Sequence, residues 1–220
     1  MLRASDLSVL EGRKSFRCLA PLAIERSSTE LISLRREAFV EQMHSIDSTL
    51  EECAAYQCMH SDLDAGFAEF YEWAKACDIP VIVLSAGLQP LIRALIARLL
   101  GPEVAAEIEI ISNEAVAWKD PDQSTRRDWQ VKLHDNTEYG MYKSSYIQAY
   151  AYKHRNTPDK DRPVILFAGD GVSDLSAAKS ADVLFAKADK DLVVYCEREQ
   201  IPFKAFKDWK DILTLTKSIK

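Results

Sequence analysis

With 220 residues and 47% apolar side chains, the chain has material for one hydrophobic core of ordinary size, which points to one domain with at most a small appendage. Its 28 basic and 34 acidic residues leave a net charge of -6, which excludes a generic electrostatic grip on nucleic acid or on an anionic membrane as its main activity. No apolar run approaches the roughly 20 residues of a membrane-spanning helix. The best candidate is interrupted by Arg93 and Arg98, and the opening MLRASDLSVLEGRK carries Asp6 and Glu11 where a secretory signal needs an apolar stretch. The five cysteines (Cys18, Cys53, Cys58, Cys77, Cys196) are odd in number and lack paired metal spacing, so they read as reduced thiols of a cytoplasmic protein.

Along the chain, the stretch from Cys18 to Arg36 has apolar residues but no sustained period of either kind. From Glu37 the pattern turns regular. EAFVEQMHSIDSTLEECAAY places Phe39, Met43, Ile46 and Leu50 at helical spacing, and DAGFAEFYEWAKAC forms a second amphipathic helix around Phe67, Phe70, Tyr71 and Ala74. IPVIVLS is a short, nearly all-apolar run of the kind that forms a strand buried on both faces. GLQPLIRALIARLLG predicts a helix stopped by Gly101 and Pro102. EIEIIS and DWQVKLH are further strand candidates, followed by the helix YKSSYIQAYAYKH, the strand RPVILFAGD, a helix opening at SDLSAAKS and the strand ADVLFAK; the remainder reads as mostly helical. Strand and helix alternate through the last two thirds, the signature of a doubly wound α/β domain.

Ligands in open α/β sheets bind beyond the carboxyl ends of the strands, where three features of this sequence fall. Ser85, Ala86 and Gly87 close one strand and open a helix, a place where a hydroxyl and free backbone N–H groups suit an anion; Ser85 is equally at home as a plain helix cap. Asp170 and Asp174 flank a Gly-Val-Ser turn after VILF. Two carboxylates in one crevice repel each other unless a proton or cation intervenes, and an oxygen-only donor pair favours a hard divalent ion such as Mg²⁺. A helix cap would explain Asp174 but not both acids. Lys143, early in a helix, would be ordinary surface if read alone, and gains interest as a cation arriving between these two features. Of only seven glycines, Gly87, Gly140, Gly169 and Gly171 lie in or beside the three, which argues for backbone geometry demanded by a site. His44, His60, His134 and His154 show no metal-ligand spacing, and Trp73, Trp118, Trp129 and Trp209 read as packing residues.

VIVLSAG, the lysine-bearing YGMYKSS and AGDGVSDLSAAKSADVLFAK together resemble motifs II, III and IV of the haloacid dehalogenase (HAD) superfamily, in its phosphoserine-phosphatase-like branch and especially its fungal phosphatases. The resemblance covers residues 37–213. It implies a Rossmann-like α/β core with a parallel sheet (residues 77–220) and a small helical cap (within residues 1–76, including the aperiodic stretch 18–36). It also implies Mg²⁺-dependent hydrolysis of a small phosphate monoester, such as a sugar, polyol or prenyl phosphate. Carried over by position, Ser85, Ala86 and Gly87 would bind the phosphate, Lys143 would balance charge as the catalytic lysine, and Asp170 and Asp174 would serve the metal.

One motif departs from the pattern. The family's nucleophile sits on an apolar strand ending in Asp-x-Asp ahead of the cap; here Asp6 follows MLRAS, and Ser8 stands where the second aspartate belongs. Losing a covalent nucleophile costs on the order of a millionfold in rate. VLEGRKSFR and EAFVEQMHSI resemble adjacent pieces of the family's first cap helix, so residues 18–36 look inserted between them. Beside a magnesium-dependent phosphatase, the sequence alone therefore leaves two readings open. One is an imperfect gene model, with a first core strand missing and an intron translated; the other is a catalytically dead pseudophosphatase.

Overall fold

The computed structural model describes residues 28–122, 124–158, 161–171 and 174–219. The sequence readings on residues 1–27, and on Val172 and Ser173 of the Gly-Val-Ser turn, lie outside them.

The first described helix, α1 (Ser28–His44), begins inside the stretch that showed no period. Its Glu, Leu, Arg and Gln residues are strong helix formers, and it holds no Gly or Pro, so propensity rather than an apolar stripe explains it. The expected helix over residues 37–56 is two helices. The break comes at Thr49, which caps α2 (Leu50–His60): its hydroxyl accepts from Glu52 N at 3.1 Å, and the Glu52 carboxylate accepts from Thr49 N at 2.9 Å. This reciprocal capping box outweighs the continuous helical period across the junction. Helix α3 (Phe67–Ala76) follows.

Strand β1 (Ile82–Leu88) leads into α4 (Gln89–Leu100) and α5 (Pro102–Glu107). Strand β2 (Glu109–Ala117) runs parallel to β1 in its first half, with Ser85 opposite Ser112, and then forms an antiparallel hairpin with β3 (Trp129–Lys132). Helix α6 (Lys143–Lys153), β4 (Leu166–Gly169), the short α7 (Leu175–Ala178), β5 (Val183–Lys187) and α8 (Asp191–Arg198) complete the alternation. The tail is not all helical: β6 (Lys204–Phe206) adds a third parallel strand beside β5 before α9 (Trp209–Lys217). A three-residue strand containing an exposed lysine leaves almost no periodic signal.

Among the described residues the strands form two sheets, ordered β1-β2-β3 and β4-β5-β6. Among the described residues β1 is paired on one side by β2, and β4 on one side by β5. Both strands nonetheless feed the same two apolar layers. Val83 of β1 joins Leu166 and Ala168 of β4 in a cluster with α3, α4 and α9, around Phe70, Ile96 and Trp209. Leu84 and Phe167, the alternate residues of these strands, join Ile147, Ala177 and Leu192 of α6, α7 and α8 in the other. Helices therefore cover both faces of parallel strands, the doubly wound arrangement expected from the sequence. A third cluster, around Cys53, Leu88, Leu91 and Trp129, ties α2 and the β2–β3 hairpin to the start of α4. No helix among the described residues is long and apolar enough to cross a membrane.

A part-buried ion pair joins the loop before α3 to the core. Asp64 and Lys187, with side chains 7% and 17% exposed, pair directly, and Asp64 also accepts from Trp209 N at 3.2 Å. Replacing Asp64 by alanine strands the ammonium group, and a loss of about 3 kcal/mol in urea unfolding is expected. A loss below about 1 kcal/mol would mean that water solvates Lys187 well enough to make the pair dispensable.

Candidate functional site

Strand β4 delivers its last residue, Gly169, into a turn whose described residues are organised around one carboxylate. Asp174 is fully buried. Its Oδ2 accepts from Asp170 N at 2.8 Å and from Gly171 N at 3.1 Å, and its Oδ1 accepts from Lys143 Nζ at 2.6 Å. Charge-assisted bonds of this kind are the strong ones, and three donors on one buried carboxylate explain why it stays where water cannot reach it. The turn closes this tightly because Gly169 has no side chain: a Cβ there would stand 2.7 Å from Asp174 Cγ. Gly169→Ala is therefore expected to displace Asp174 and, with it, the Lys143 contact. At least a hundredfold loss of any phosphate-dependent activity should follow, since a displacement of about 1 Å has that effect on catalytic geometry. A variant with unaltered activity and stability would show that the turn has room to yield.

Lys143 is the first residue of α6 and only 4% exposed. A cation at a helix N-terminus meets the positive end of the helix dipole, and burial adds a desolvation cost. Propensity does not place it there. Asp174 does, by supplying the opposite charge. Asp170 has a different environment. Its Oδ1 is buried without a hydrogen-bond partner among the described residues. Burial, and then the neighbouring Asp174 charge, push its carboxyl above the usual carboxylate range, with Lys143 and Lys190 opposing them. A buried carboxylate oxygen without a partner among the described residues, beside a second carboxylate, is a place where a hard cation is favoured. Mg²⁺ suits it, because that ion takes one or two carboxylates and keeps its waters. Asp170 has the lone pairs to bind such an ion, whereas Asp174, whose two oxygens already serve three donors, is placed to hold the turn that presents Asp170.

Ser85, Ala86 and Gly87 lie elsewhere in the local geometry than the sequence suggested. Helix α4 starts at Gln89 with Leu88 as its cap, so these residues do not open the helix. They lie within β1, where the pairing jumps from Ser85 opposite Ser112 to Leu88 opposite Asn113. Ala86 and Gly87 are the extra residues of this bulge, and Gly87 N donates to Ser85 Oγ at 3.0 Å. Bulges at strand ends re-aim side chains and backbone groups, and a period-based reading does not detect them.

The candidate residues thus form two groups. Lys143, Asp170 and Asp174 are one hydrogen-bonded cluster, and Ser85, Ala86 and Gly87 are another at the end of β1. Among the described residues the link between them runs through a residue that sequence reasoning missed: Asn113, fully buried at the end of the parallel half of β2, which bonds to Ala86 O. An Asn in a strand carries no signal of its own, so nothing short of the pairing register would have found it. Among the described residues no three His, Cys, Asp or Glu side chains cluster as metal ligands.

Comparison with known proteins gives these groups a context. Residues 5–179 match the family model described as haloacid dehalogenase-like hydrolase. Over 186 residues the chain is 41% identical to polyol phosphate phosphatase PYP1 of Saccharomyces cerevisiae, spanning 84% of this chain and 75% of that protein. It is also 41% identical over 177 residues to Pdp3-interacting factor 1 of Schizosaccharomyces pombe, spanning 80% and 73% of the two chains. A 2-hydroxy-3-keto-5-methylthiopentenyl-1-phosphate phosphatase of Bacillus cytotoxicus is 26% identical over 176 residues, spanning 79% of this chain and 73% of that protein. Among solved structures, a HAD family hydrolase from Salmonella enterica serovar Typhi superposes with a TM-score of 0.57 at 17% identity, covering 88% of this chain and 62% of that one, a likeness of fold.

Proposed function

We propose that this chain, which belongs to the haloacid dehalogenase-like hydrolase family, acts on a small phosphate monoester in the cytoplasm with the help of Mg²⁺. The observation that carries the reading is the buried Lys143–Asp174 pair at 2.6 Å beside an Asp170 oxygen that has no hydrogen-bond partner among the described residues. This places a fixed cation next to a cation-seeking carboxylate at the end of a parallel strand. A phosphoryl group needs both kinds of neighbour: positive charge on its oxygens, and a preorganised frame that does not have to rearrange as charge moves.

In this reading the Ser85 hydroxyl and the N–H groups of the Ala86–Gly87 bulge donate to the phosphate oxygens, with Gly87 N exchanging its present Ser85 acceptor for the ligand. Lys143 neutralises phosphoryl charge while Asp174 fixes its Nζ in place. Asp170 would hold Mg²⁺, which when bound supplies charge neutralisation and in-line alignment of the phosphate. Relatives named as phosphatases of a polyol phosphate and of a methylthiopentenyl phosphate support a small, hydroxylated organic monoester as the substrate class.

One observation favours a second reading, phosphate binding without turnover: the sequence reads Asp6-Leu7-Ser8, with Ser8 standing where the resembling enzymes carry the second aspartate of Asp-x-Asp. The two readings separate in one assay. The purified protein is incubated with p-nitrophenyl phosphate and with sorbitol and glycerol phosphates, with Mg²⁺ or with a chelator. Magnesium-dependent phosphate release supports hydrolysis. Saturable phosphate binding without release supports the second reading. Neither release nor binding overturns both.

A further inference from the structure

We infer that Asn113 is the positioning residue that sets the phosphate-binding bulge and the lysine-bearing loop at a fixed separation. The inference deepens the proposed reading and rests on it for its functional consequence.

Asn113 is fully buried and uses its amide completely. Its Nδ2 donates both hydrogens, to Ala86 O at 2.7 Å and to Tyr139 O at 2.9 Å, and its Oδ1 accepts from His134 N at 2.9 Å. The first partner belongs to the β1 bulge. The other two belong to the loop that enters α6 at Lys143.

That loop is built for the contact. Gly140 has φ +66, and a Cβ there would overlap Asn113 Oδ1 and stand 2.8 Å from Leu133 Cβ. Only glycine combines the left-handed backbone with so close an approach. Beyond it Asp135 braces the loop, accepting from Thr137 N at 2.9 Å and from Tyr142 N at 2.7 Å, the residue directly before Lys143. Hydrogen bonds and adjoining peptide links therefore connect Ala86 through Asn113 to His134 and its chain neighbour Asp135, from Asp135 to Tyr142 and its neighbour Lys143, and from Lys143 through Asp174 to Asp170. The two strands that carry the phosphate and metal groups, β1 and β4, share no hydrogen bond among the described residues. Asn113 supplies the cross-tie that their pairing does not.

The side-chain chemistry is specific. Both Asn113 donors face carbonyl oxygens, and its acceptor faces an N–H group. An aspartate of the same shape would turn two attractive contacts into repulsions, and its burial leaves no water to relieve them.

The test compares the wild-type chain with Asn113→Asp and with Leu213→Ala, a core variant in α9, a helix that contributes no residue to either group. Three quantities are read: thermal stability, amide hydrogen exchange, and kcat for p-nitrophenyl phosphate together with Kd for inorganic phosphate. Asn113→Asp should speed exchange jointly in residues 86–88 and 139–143. It should also lower kcat about a hundredfold, the cost of roughly 1 Å of misplacement, or weaken phosphate binding at least tenfold where turnover is absent. Leu213→Ala should lose stability while leaving both segments and both constants as in wild type.

A folded Asn113→Asp protein with unchanged exchange in either segment overturns the inference, whether or not the wild type handles phosphate. So does one whose activity falls no further than its stability explains. If Asn113→Asp does not fold, Asn113→Ser replaces it. Failure of both to fold makes Asn113 a purely structural residue and overturns the positioning role. A wild type without phosphate binding sinks the phosphate reading alone, and the exchange measurement still decides the cross-tie.

Discussion

Lys143→Met is expected to cost about 3–5 kcal/mol of stability and at least a hundredfold in phosphate binding or turnover. The stability loss follows from burial. Lys143 and Asp174 are 4% and 0% exposed, so removing the ammonium leaves a buried carboxylate whose remaining donors among the described residues are the Asp170 and Gly171 amides. Methionine fills the same volume, so a cavity contributes little to the effect. The functional loss follows from the position of the charge, at the junction of the loop tied to the β1 bulge and the turn that presents Asp170. The double variant Lys143→Met with Asp174→Asn separates the two. Its amide oxygen still accepts from the turn, so most of the stability should return while phosphate binding stays lost. If the single variant unfolds in urea like wild type, the pair is not the keystone of the turn. If the double variant regains phosphate binding, Lys143 has no part in it.

Asp170→Asn is the complementary experiment, in which function falls and stability does not. In the folded chain burial and Asp174 raise the Asp170 carboxyl above its unfolded value, so the folded state holds this proton more tightly than the unfolded one. The sign follows from linkage: this group favours folding most at low pH, and its contribution is lost as pH rises from the unfolded value through the raised folded value. Without metal, Asp170→Asn should therefore be at least as stable as wild type at neutral pH, with the difference shrinking on acidification. Magnesium reverses the comparison. At a hundredfold excess over its Kd a bound ion stabilises wild type by about 2.7 kcal/mol and should leave Asp170→Asn nearly unmoved. Because Mg²⁺ and the proton compete for one carboxylate, this gain should fade as pH drops through the Asp170 titration. Equal magnesium stabilisation of both proteins would place the ion elsewhere.

How far the sequence reaches is best judged by particular residues. The turn around Gly169, Asp170 and Asp174 is legible because glycines beside two acids at a strand end mark a tight turn that draws carboxylates together. The strands over residues 166–169 and 183–187, and the first strand as far as Ser85, are legible because continuous apolar runs bounded by turn signals suit buried parallel strands. Lys143 is legible as a candidate through its resemblance to a motif, not through its own surroundings; its burial and its bond to Asp174 are tertiary facts. The bulge at Ala86 and Gly87 escapes the sequence because it depends on the register against Ser112 and Asn113, which a single strand does not carry. The end of α1 at His44 escapes it because a local capping box at Thr49 overrides a helical period that runs on across it. Asn113 is invisible for the simplest reason: its importance lies wholly in which three backbone groups surround it.

The central claim is that the ends of β1 and β4 make one magnesium-assisted phosphate site. Calorimetric titration of the whole chain with inorganic phosphate, with Mg²⁺ and with a chelator, tests it most directly. The account predicts saturable binding that requires Mg²⁺ and disappears in both Lys143→Met and Asp170→Asn. Phosphate binding that is indifferent to the metal and to both substitutions, or no saturable binding by the folded wild type, would contradict it.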